Sequence, residues 1–315
     1  MISQKINRRE FTKTALLGAT AIAFAGISFS RDSNNSNDDQ LCILHTNDTH
    51  SRIDPYPAND PNYPNMGGYA RRAGLIQQIR ETTQQVLLLD AGDIFQGTPY
   101  YNAYGGEPEL KLMTQMQYDA ATMGNHEFDN GLDGFIKVLP FAGFPFITSN
   151  YDFSQTPLRG KTLPYKIFRK GRFTVGVYGL GIELEGLVSR SLYGQTIYQD
   201  PISVAQKTER LLKEEMNCNL IVCLSHLGYQ YDSPKVSDVV IAQNTRYTDI
   251  ILGGHTHTIL DPLVQKENLS KKNVFIGQTG YGGVNLGRIN VQLHDKSSEF
   301  LVESNTIIFL NKQDT

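Results

Sequence analysis

At residues 41–50 the chain reads LCILHTNDTH, an apolar run that passes directly into a polar motif. The run is typical of a buried strand, and Asp48-Thr49-His50 follows its end. Four further motifs follow apolar runs in the same way: Gly92-Asp93, Gly124-Asn125-His126-Glu127, Ser225-His226 and Gly253-Gly254-His255-Thr256-His257. Because ligands of open α/β sheets bind beyond the carboxyl ends of the strands, we expect all five motifs to converge on one rim.

Short apolar runs alternate with amphipathic segments through most of the chain. Buried strands are predicted at residues 41–44, 86–89, 120–123, 146–149, 174–180, 220–224 and 250–252. Helical spacing predicts helices at residues 68–81, 108–117, 133–139, 203–216 and 235–243. The last third is β-rich, with strands expected at residues 274–277, 286–293 and 300–310. We find no internal repeat and no second linker, so residues 41–315 are predicted to form one α/β domain.

The first 25 residues are predicted to be an export signal. The segment Asn7-Arg8-Arg9-Glu10-Phe11-Thr12-Lys13 precedes an uncharged run, and Ala23-Phe24-Ala25 offers a small-x-small cleavage site. This arrangement resembles a twin-arginine signal, which directs folded proteins to the twin-arginine export machinery. A membrane anchor, or an arginine pair before a buried helix, is the alternative, but the apolar run is short for a membrane span. We therefore expect a periplasmic or extracellular protein.

The remaining composition excludes several classes of partner. Residues 26–40 are rich in Ser, Asn and Asp towards their end and are predicted to be a flexible linker. The net charge of −3 over 315 residues makes neither nucleic acid nor an anionic membrane an expected partner. Cys42, Cys218 and Cys223 form neither a CxxC pair nor a disulfide framework.

The five motifs supply the side chains that divalent metal ions need. Imidazole and carboxylate ligands suit Zn²⁺, Mn²⁺ or Fe²⁺. Residues two apart in extended chain point to the same side, so Asp48 with His50, and His255 with His257, are each expected to converge on one site. Asp93 lies before the apolar Ile94-Phe95, where a buried carboxylate requires compensating charge.

Asn125 and His226 complete the predicted ligand set, although a lone histidine behind an apolar run is more often structural. Two dications roughly 3.5–4 Å apart, bridged by a carboxylate and a hydroxide, can clamp the attacking and leaving oxygens of an in-line displacement. The two negative charges of Asp48 and Asp93 reduce the charge of two dications to about +2. This charge matches a phosphate dianion and favours a phosphate monoester over a diester as the substrate.

His126 and Asp129 are predicted to be a catalytic pair. His126 is adjacent to Asn125, and Asp129 is placed to orient its ring and stabilise the imidazolium. A protonated His126 would stabilise the phosphoryl oxygens or donate to the leaving alkoxide. The alternative for Asp129 is a position in the first turn of a helix. His45 and His294 fall outside the set and are expected to be structural.

These residues resemble the calcineurin-like metallophosphoesterases, and more narrowly their bacterial 5′-nucleotidase branch. The likeness is carried by residues 44–50, 92–99, 124–129 and 253–257, and it spans about residues 41–290. The motifs occur in the same order along the chain as they do in the family. The resemblance implies a four-layer αββα sandwich. It also implies two metal ions that share Asp93, with Asp48, His50 and His257 on one and Asn125, His226 and His255 on the other, and it makes His126 and Asp129 the catalytic dyad.

Enzymes of that branch usually carry a second, C-terminal domain that binds the nucleobase, whereas this sequence ends at Thr315. The leading hypothesis is an exported two-metal phosphohydrolase, a 5′-nucleotidase-like phosphomonoesterase with a metal-activated hydroxide. One alternative is the same site acting on cyclic nucleotides, nucleotide sugars or sulfur esters. Another is a catalytic subunit that requires a separately encoded nucleotide-binding domain. The tyrosine-rich segments 56–66 and 99–104 offer aromatic surface for a base or a partner.

Overall fold

The computed structural model describes residues 37–293 and 300–309, with the backbone alone for residue 37 and for residues 303–309. The predicted export signal, most of the predicted linker and His294 therefore lie outside the described residues. Within the part that is described, no helix combines the length and the apolar character that a membrane crossing requires.

Two mixed β-sheets form the middle of the domain. The strands are β1 (Gln40–Thr46), β2 (Val86–Asp90), β3 (Ala120–Ala121), β4 (Tyr151–Asp152), β5 (Tyr165–Lys170), β6 (Phe173–Leu180), β7 (Ile197–Tyr198), β8 (Leu220–Ser225), β9 (Ile250–Gly253), β10 (Val264–Glu267), β11 (Asn273–Gly277), β12 (Asn285–Leu293) and β13 (Phe300–Phe309). The first sheet has the order β13-β12-β1-β2-β3, and the second has the order β10-β11-β9-β8-β6-β5. Strands β1, β2 and β3 are parallel to one another, as are β6, β8, β9 and β11.

Helices connect these parallel strands. They are α1 (Tyr69–Thr82), α2 (Pro99–Tyr104), α3 (Glu107–Gln115), α4 (Gly131–Val138), α5 (Arg190–Tyr193), α6 (Pro201–Arg210) and α7 (Asp238–Asn244). A π-helical segment, Leu211–Glu215, continues α6, and 3₁₀ turns occur at Asn37–Asp39, His126–Phe128 and Leu139–Phe141. A small ribbon pairs β4 with β7.

Three buried apolar clusters separate four layers. Along β1, Cys42 and Leu44 face a cluster shared with α1, α3 and α4, whereas Leu41 and Ile43 face a cluster between the two sheets. The period of two along a strand explains why neighbouring residues enter different clusters. A third cluster lies between the second sheet and helices α6 and α7, and includes Ala205. The order is helix, sheet, sheet, helix, which confirms the predicted αββα sandwich.

Some elements have other bounds than the sequence predicted. The strand expected at residues 146–149 makes only isolated bridges, Ala121 to Phe146 and Ile147 to Leu163, and β3 itself has two residues. Burial of Phe146 and Ile147 accounts for the apolar run without a continuous ladder. The helix expected from residue 203 begins instead at Pro201, because Asp200 accepts hydrogen bonds from the N–H groups of Ile202 and Ser203.

The sheet also begins earlier than residue 41. Residues 37–39 of the predicted linker form a 3₁₀ turn, and Gln40 is already in β1. The Asp38 carbonyl accepts a hydrogen bond from the N–H of Arg172 at 2.9 Å, which attaches this turn to the start of β6. Residues 37–40 of the predicted linker are thus polar in composition but form regular secondary structure.

Candidate metal centre

The five polar motifs lie at the carboxyl ends of five parallel strands. Asp48 follows β1, Asp93 follows β2, Asn125 follows β3, His226 follows β8 and His255 follows β9. The two sheets therefore meet at one rim, where the hydrogen bonds of Asp48 and Asp93 reach residues of the other motifs. The convergence that the strand–motif pattern predicted is present.

The backbone that carries these side chains is left-handed rather than extended. Positive φ angles occur at five of the seven predicted ligands: Asp48 (47°), His50 (48°), Asp93 (54°), His255 (71°) and His257 (54°). Aspartate and histidine occupy this region more readily than most residues do, but it remains a costly conformation. The extended geometry that we assumed for both pairs is therefore wrong. Asp48 and His50 nevertheless share one cluster, whereas His255 and His257 enter different clusters.

The first cluster, which could hold one metal ion, contains Asp48, His50 and His257. The Nε2 atoms of His50 and His257 are 3.3 Å apart, and His257 Nε2 is 3.3 Å from Asp48 Oδ1. Two imidazole nitrogens and a carboxylate oxygen thus face one small volume. Because the carboxylate of Asp48 is fully buried, a cation between these groups would supply the charge that burial requires.

The second cluster, which could hold another ion, contains Asp93, His226 and His255. His226 Nε2 lies 3.0 Å from Asp93 Oδ2, and the Oδ1 atom of Asn125 lies 2.9 Å from His255 Nδ1. Asp93 Oδ2 is also 3.9 Å from His50 Nε2, so one carboxylate oxygen lies between imidazole nitrogens of both clusters. This is the arrangement expected for the bridging ligand.

One buried nitrogen shows that this donor set fits a metal ion. His226 Nδ1–H donates to the Ala91 carbonyl at 2.7 Å, which leaves the buried Nε2 atom facing Asp93 Oδ2 at 3.0 Å, outside hydrogen-bond geometry. A backbone bond at one ring nitrogen is the usual means of leaving the other nitrogen free to bind a metal. Although burial lowers the pKa of His226, the carboxylates of Asp93 and Asp48 raise it to about 10. Without an ion, a proton on His226 supplies the compensating charge.

Burial favours the neutral form of two other histidines of these clusters, His50 and His255. Burial lowers the pKa of His50, and it lowers the pKa of His255 to about 4. The pKa of Asp93 lies well below its usual range because, against the effect of burial, the neighbouring His226 favours the carboxylate. Neutral imidazoles and ionised carboxylates are the forms that bind divalent ions.

His126 and Asp129 form a close pair beside both clusters. His126 Nδ1 is 2.7 Å from Asp129 Oδ2, and the side chains of both residues remain 30% exposed. The backbone N–H of His126 donates to Asp93 Oδ1 at 2.8 Å, which holds the backbone of His126 beside the proposed bridge. Burial lowers the pKa of His126, but the hydrogen bond to Asp129 and the negative charges of Asp93, Asp129 and Glu127 together raise it. His126 also groups with His50 and Asp93 in a third possible ligand set.

Sequence reasoning missed the residue that joins two of the motif loops. The buried carboxylate of Glu127 accepts hydrogen bonds from the backbone N–H groups of Asp93 (2.9 Å), Ile94 (2.8 Å), Phe95 (3.4 Å) and Gly124 (2.6 Å). Burial raises the pKa of Glu127 to about 7, against the effect of these bonds. The sequence did contain a signal for this role: Glu127 is a charged residue directly before the apolar Phe128. We had considered that motif only as a source of metal ligands and of the catalytic pair.

A second buried carboxylate, Asp238, lies at the start of α7 behind the centre. Its Oδ1 atom accepts a hydrogen bond from the Ser225 hydroxyl, and its Oδ2 atom has no partner in the described part of the chain. Burial raises the pKa of Asp238 to about 8. The folded protein therefore keeps a proton on Asp238 at pH values where the unfolded chain, with an ordinary aspartate pKa, has released it.

This difference predicts how Asp238→Asn changes stability with pH. Because the folded pKa is raised, the parent protein loses stability as pH rises from about 4 to about 8, by up to about 1.4 kcal/mol per pH unit. The variant lacks this group and should show a shallower decline, so the difference in free energy of unfolding should move in its favour as pH rises. Urea unfolding of chelator-treated proteins at pH 5 and pH 8 measures it; a constant difference would contradict the assignment.

Among the described residues, one further histidine, His45, lies outside the centre. His45 is buried beside Gly277 and Gly287, where burial lowers its pKa to about 4, and its Nδ1 atom has no hydrogen-bond partner among the described residues. This environment agrees with the structural role expected for it. His294 lies outside the described residues, so its expected structural role stays a prediction.

Comparison with known proteins gives the class. The model of the calcineurin-like phosphoesterase family matches residues 42–258. The chain therefore belongs to this family, a class of metal-dependent phosphoester hydrolases, and the predicted resemblance is confirmed.

More particular relatives carry the name 5′-nucleotidase. Human 5′-nucleotidase is 37% identical over 230 residues, which is 70% of this chain and 38% of that protein. The crystal structure of a 5′-nucleotidase precursor from Thermus thermophilus matches with a TM-score of 0.78 and 30% identity, covering 87% of this chain and 55% of that one. The calcineurin-like phosphoesterase YfkN from Bacillus subtilis matches with a TM-score of 0.70 and 27% identity over 86% of this chain and 91% of that chain. The chain spans about half, or less, of the curated relatives it matches.

Proposed function

We propose that this chain is an exported two-metal phosphohydrolase that removes the phosphate from 5′-nucleotides. The observation that carries the proposal is the position of Asp93, whose Oδ2 atom lies within 4 Å of an imidazole nitrogen of each cluster. The names of the relatives support a nucleotide as the substrate. The region that this chain matches is only part of the length of those relatives. A nucleotide-binding domain on a separate polypeptide is therefore a candidate partner.

The proposed ligands divide as the two clusters do. Asp48, His50 and His257 would hold one ion, His226, His255 and Asn125 the other, and Asp93 both. Zn²⁺, Mn²⁺ and Fe²⁺ suit this set of imidazole and carboxylate donors. When bound, two such ions provide a clamp of positive charge for the attacking and leaving oxygens of a phosphoryl transfer.

His126 and Asp129 would together supply the proton that the leaving alkoxide takes up. Asp129 accepts from Nδ1–H at 2.7 Å, so the proton available to a substrate is the one on Nε2 of the imidazolium. Because Asp129 stabilises that cation, His126 can hold a proton next to the Asp93 carboxylate and deliver it to a leaving alkoxide. The hydrogen bond from the backbone N–H of His126 to Asp93 Oδ1 holds the His126 backbone beside a residue that would bind both ions.

The test follows phosphate release by the full chain expressed in a bacterial host. We expect the periplasmic fraction, and the protein purified from it, to release phosphate from adenosine 5′-monophosphate with Mn²⁺ or Zn²⁺ and to stop after chelation. Activity in the cytoplasmic fraction alone would contradict export, which rests on residues 1–25. Failure with every phosphate ester would contradict the enzyme assignment.

A substrate panel separates the alternatives. Cyclic nucleotides, nucleotide sugars and thiosulfonates would use the same metal ions, so faster turnover of one of these would replace the nucleotide monoester as substrate. Full turnover by the purified monomer would exclude the need for a separate nucleotide-binding domain. Turnover that appears only when such a domain is added would establish that partner.

A further inference from the structure

A tyrosine outside the five motifs covers the first metal-ion cluster. The ring of Tyr281 lies 4.6 Å from the ring of His257 and 5.0 Å from the ring of His50, measured between centroids, at interplanar angles of 35° and 45°. Tyr281 is only partly buried, and the neighbouring side chain of His257 is 42% exposed. An aromatic surface therefore stands at the solvent side of the centre, next to the proposed ligands.

The backbone around Tyr281 is held in place from several directions. The N–H of Gly282 donates to the Asp48 carbonyl at 2.8 Å, and the side-chain amide of Asn47 donates to the Gly280 carbonyl at 2.9 Å. Arg72, which is fully buried, donates to the Gly283 carbonyl at 3.4 Å. The ring is thus mounted on a loop that is bonded directly to the loop of Asp48.

The glycines on both sides of Tyr281 are required by this geometry. Gly280, Gly282 and Gly283 have φ angles of 85°, 66° and 61°, which favour glycine. A Cβ atom at Gly282 would also lie 2.1 Å from the hydroxyl oxygen of Tyr56. The Gly-Tyr-Gly-Gly sequence therefore presents one large side chain from a tightly folded loop.

We propose that Tyr281 is a specificity residue that stacks on the nucleobase of the substrate. This inference rests on the proposed function, since the base is attached to the phosphate that the two clusters would bind. Packing of the two imidazoles needs only an apolar side chain, whereas Tyr281 is an aromatic ring that stays partly exposed beside the centre. Stacking of a base on an aromatic side chain contributes about 1–3 kcal/mol and tolerates all four bases.

A matched pair of substrates isolates this contribution. Adenosine 5′-monophosphate and ribose 5-phosphate carry the same phosphate on the same primary alkoxide, and they differ in the base. In the metal-loaded full chain, Tyr281→Leu should lower the ratio of kcat/KM for the nucleotide to kcat/KM for the sugar phosphate about tenfold. Tyr281→Phe keeps the ring and should leave the ratio within about twofold of the parent.

A second tyrosine, in the segment 99–104 that the sequence offered as aromatic surface, is the competing candidate for the base. Tyr104 is 59% exposed and borders a different cavity of about 420 Å³, which is also lined by Arg52, Asp54 and Tyr100. Tyr104→Leu should not change the substrate ratio. Calorimetric binding of adenosine, which needs no turnover, should weaken about tenfold in Tyr281→Leu and remain unchanged in Tyr104→Leu.

Each other outcome is decisive. An equal loss with both substrates in Tyr281→Leu would make Tyr281 a support for the imidazoles only. A changed ratio in Tyr104→Leu would move the base to the neighbouring cavity. Either result overturns this inference while leaving the phosphohydrolase intact, because ribose 5-phosphate turnover reports on the metal centre alone. A parent protein that hydrolyses neither substrate would overturn the proposed function and this inference together.

Discussion

Replacing Asp93 by asparagine is expected to remove bound metal and activity together. Its Oδ2 atom is the carboxylate oxygen that lies near imidazole nitrogens of both clusters. The substitution keeps the shape and the oxygen that accepts the His126 N–H, but it removes the negative charge. We expect a loss of about 4 kcal/mol of transition-state stabilisation, roughly a thousandfold in kcat/KM. Plasma mass spectrometry of the purified protein, beside phosphate release, measures both effects.

Asp119→Asn is the matched control for this experiment. Asp119 lies before β3, at the opposite end of the parallel strands from the rim, where it accepts the Leu88 N–H at 2.8 Å and pairs with Lys170 at 3.2 Å. The Asp119→Asn substitution removes one negative charge from the same layer of the fold, as Asp93→Asn does. It should leave the metal content of the protein unaltered. If Asp93→Asn retained both ions and turned over normally, the bridging assignment would be wrong.

Replacing His126 by asparagine should separate metal binding from turnover. The contact of His126 with Asp93 is made by the backbone N–H, so the substitution removes the ring and the proton without removing that bond. Both ions should remain, while kcat falls by a factor of about 10²–10⁴, the usual contribution of a positioned general acid. The measurement is metal stoichiometry together with steady-state kinetics on the same preparation.

The neighbouring carboxylate provides the comparison. Asp129→Asn keeps the imidazole and weakens only the stabilisation of its cation, so its loss of turnover should be smaller than that of His126→Asn, again with both ions in place. Loss of an ion in His126→Asn would instead identify His126 as a ligand. That reading is geometrically open, because its ring groups with His50 and Asp93.

The position of the centre could be predicted from sequence, because each motif follows an apolar run and parallel strands share one edge. Asp48 and His226 are far apart in sequence, yet His226 Nε2 is 3.9 Å from Asp48 Oδ1. The assignment of these residues as ligands remains a prediction, as does the His126–Asp129 dyad. The same alternation of strands and helices predicted an α/β domain, and the family resemblance implied its four-layer αββα form.

Other features could not be predicted because they depend on contacts between distant loops. The left-handed backbone at His255 and His257 has no signature in composition, and neither has the entry of their two rings into different clusters. Glu127 acquires its role only when the loop after β2 lies against the loop after β3 in space. The short helix α2 was missed because six residues are too few for an apolar period.

The left-handed residues of the centre have a consequence for the stability of the protein. Five non-glycine residues in that conformation cost about 1 kcal/mol each, so roughly 5 kcal/mol of strain is present whether or not ions are bound. A domain's whole margin against unfolding is about 5–15 kcal/mol. Ions that bind only the folded form would restore that margin by mass action. Chelator-treated protein is therefore expected to unfold at a lower temperature than metal-loaded protein.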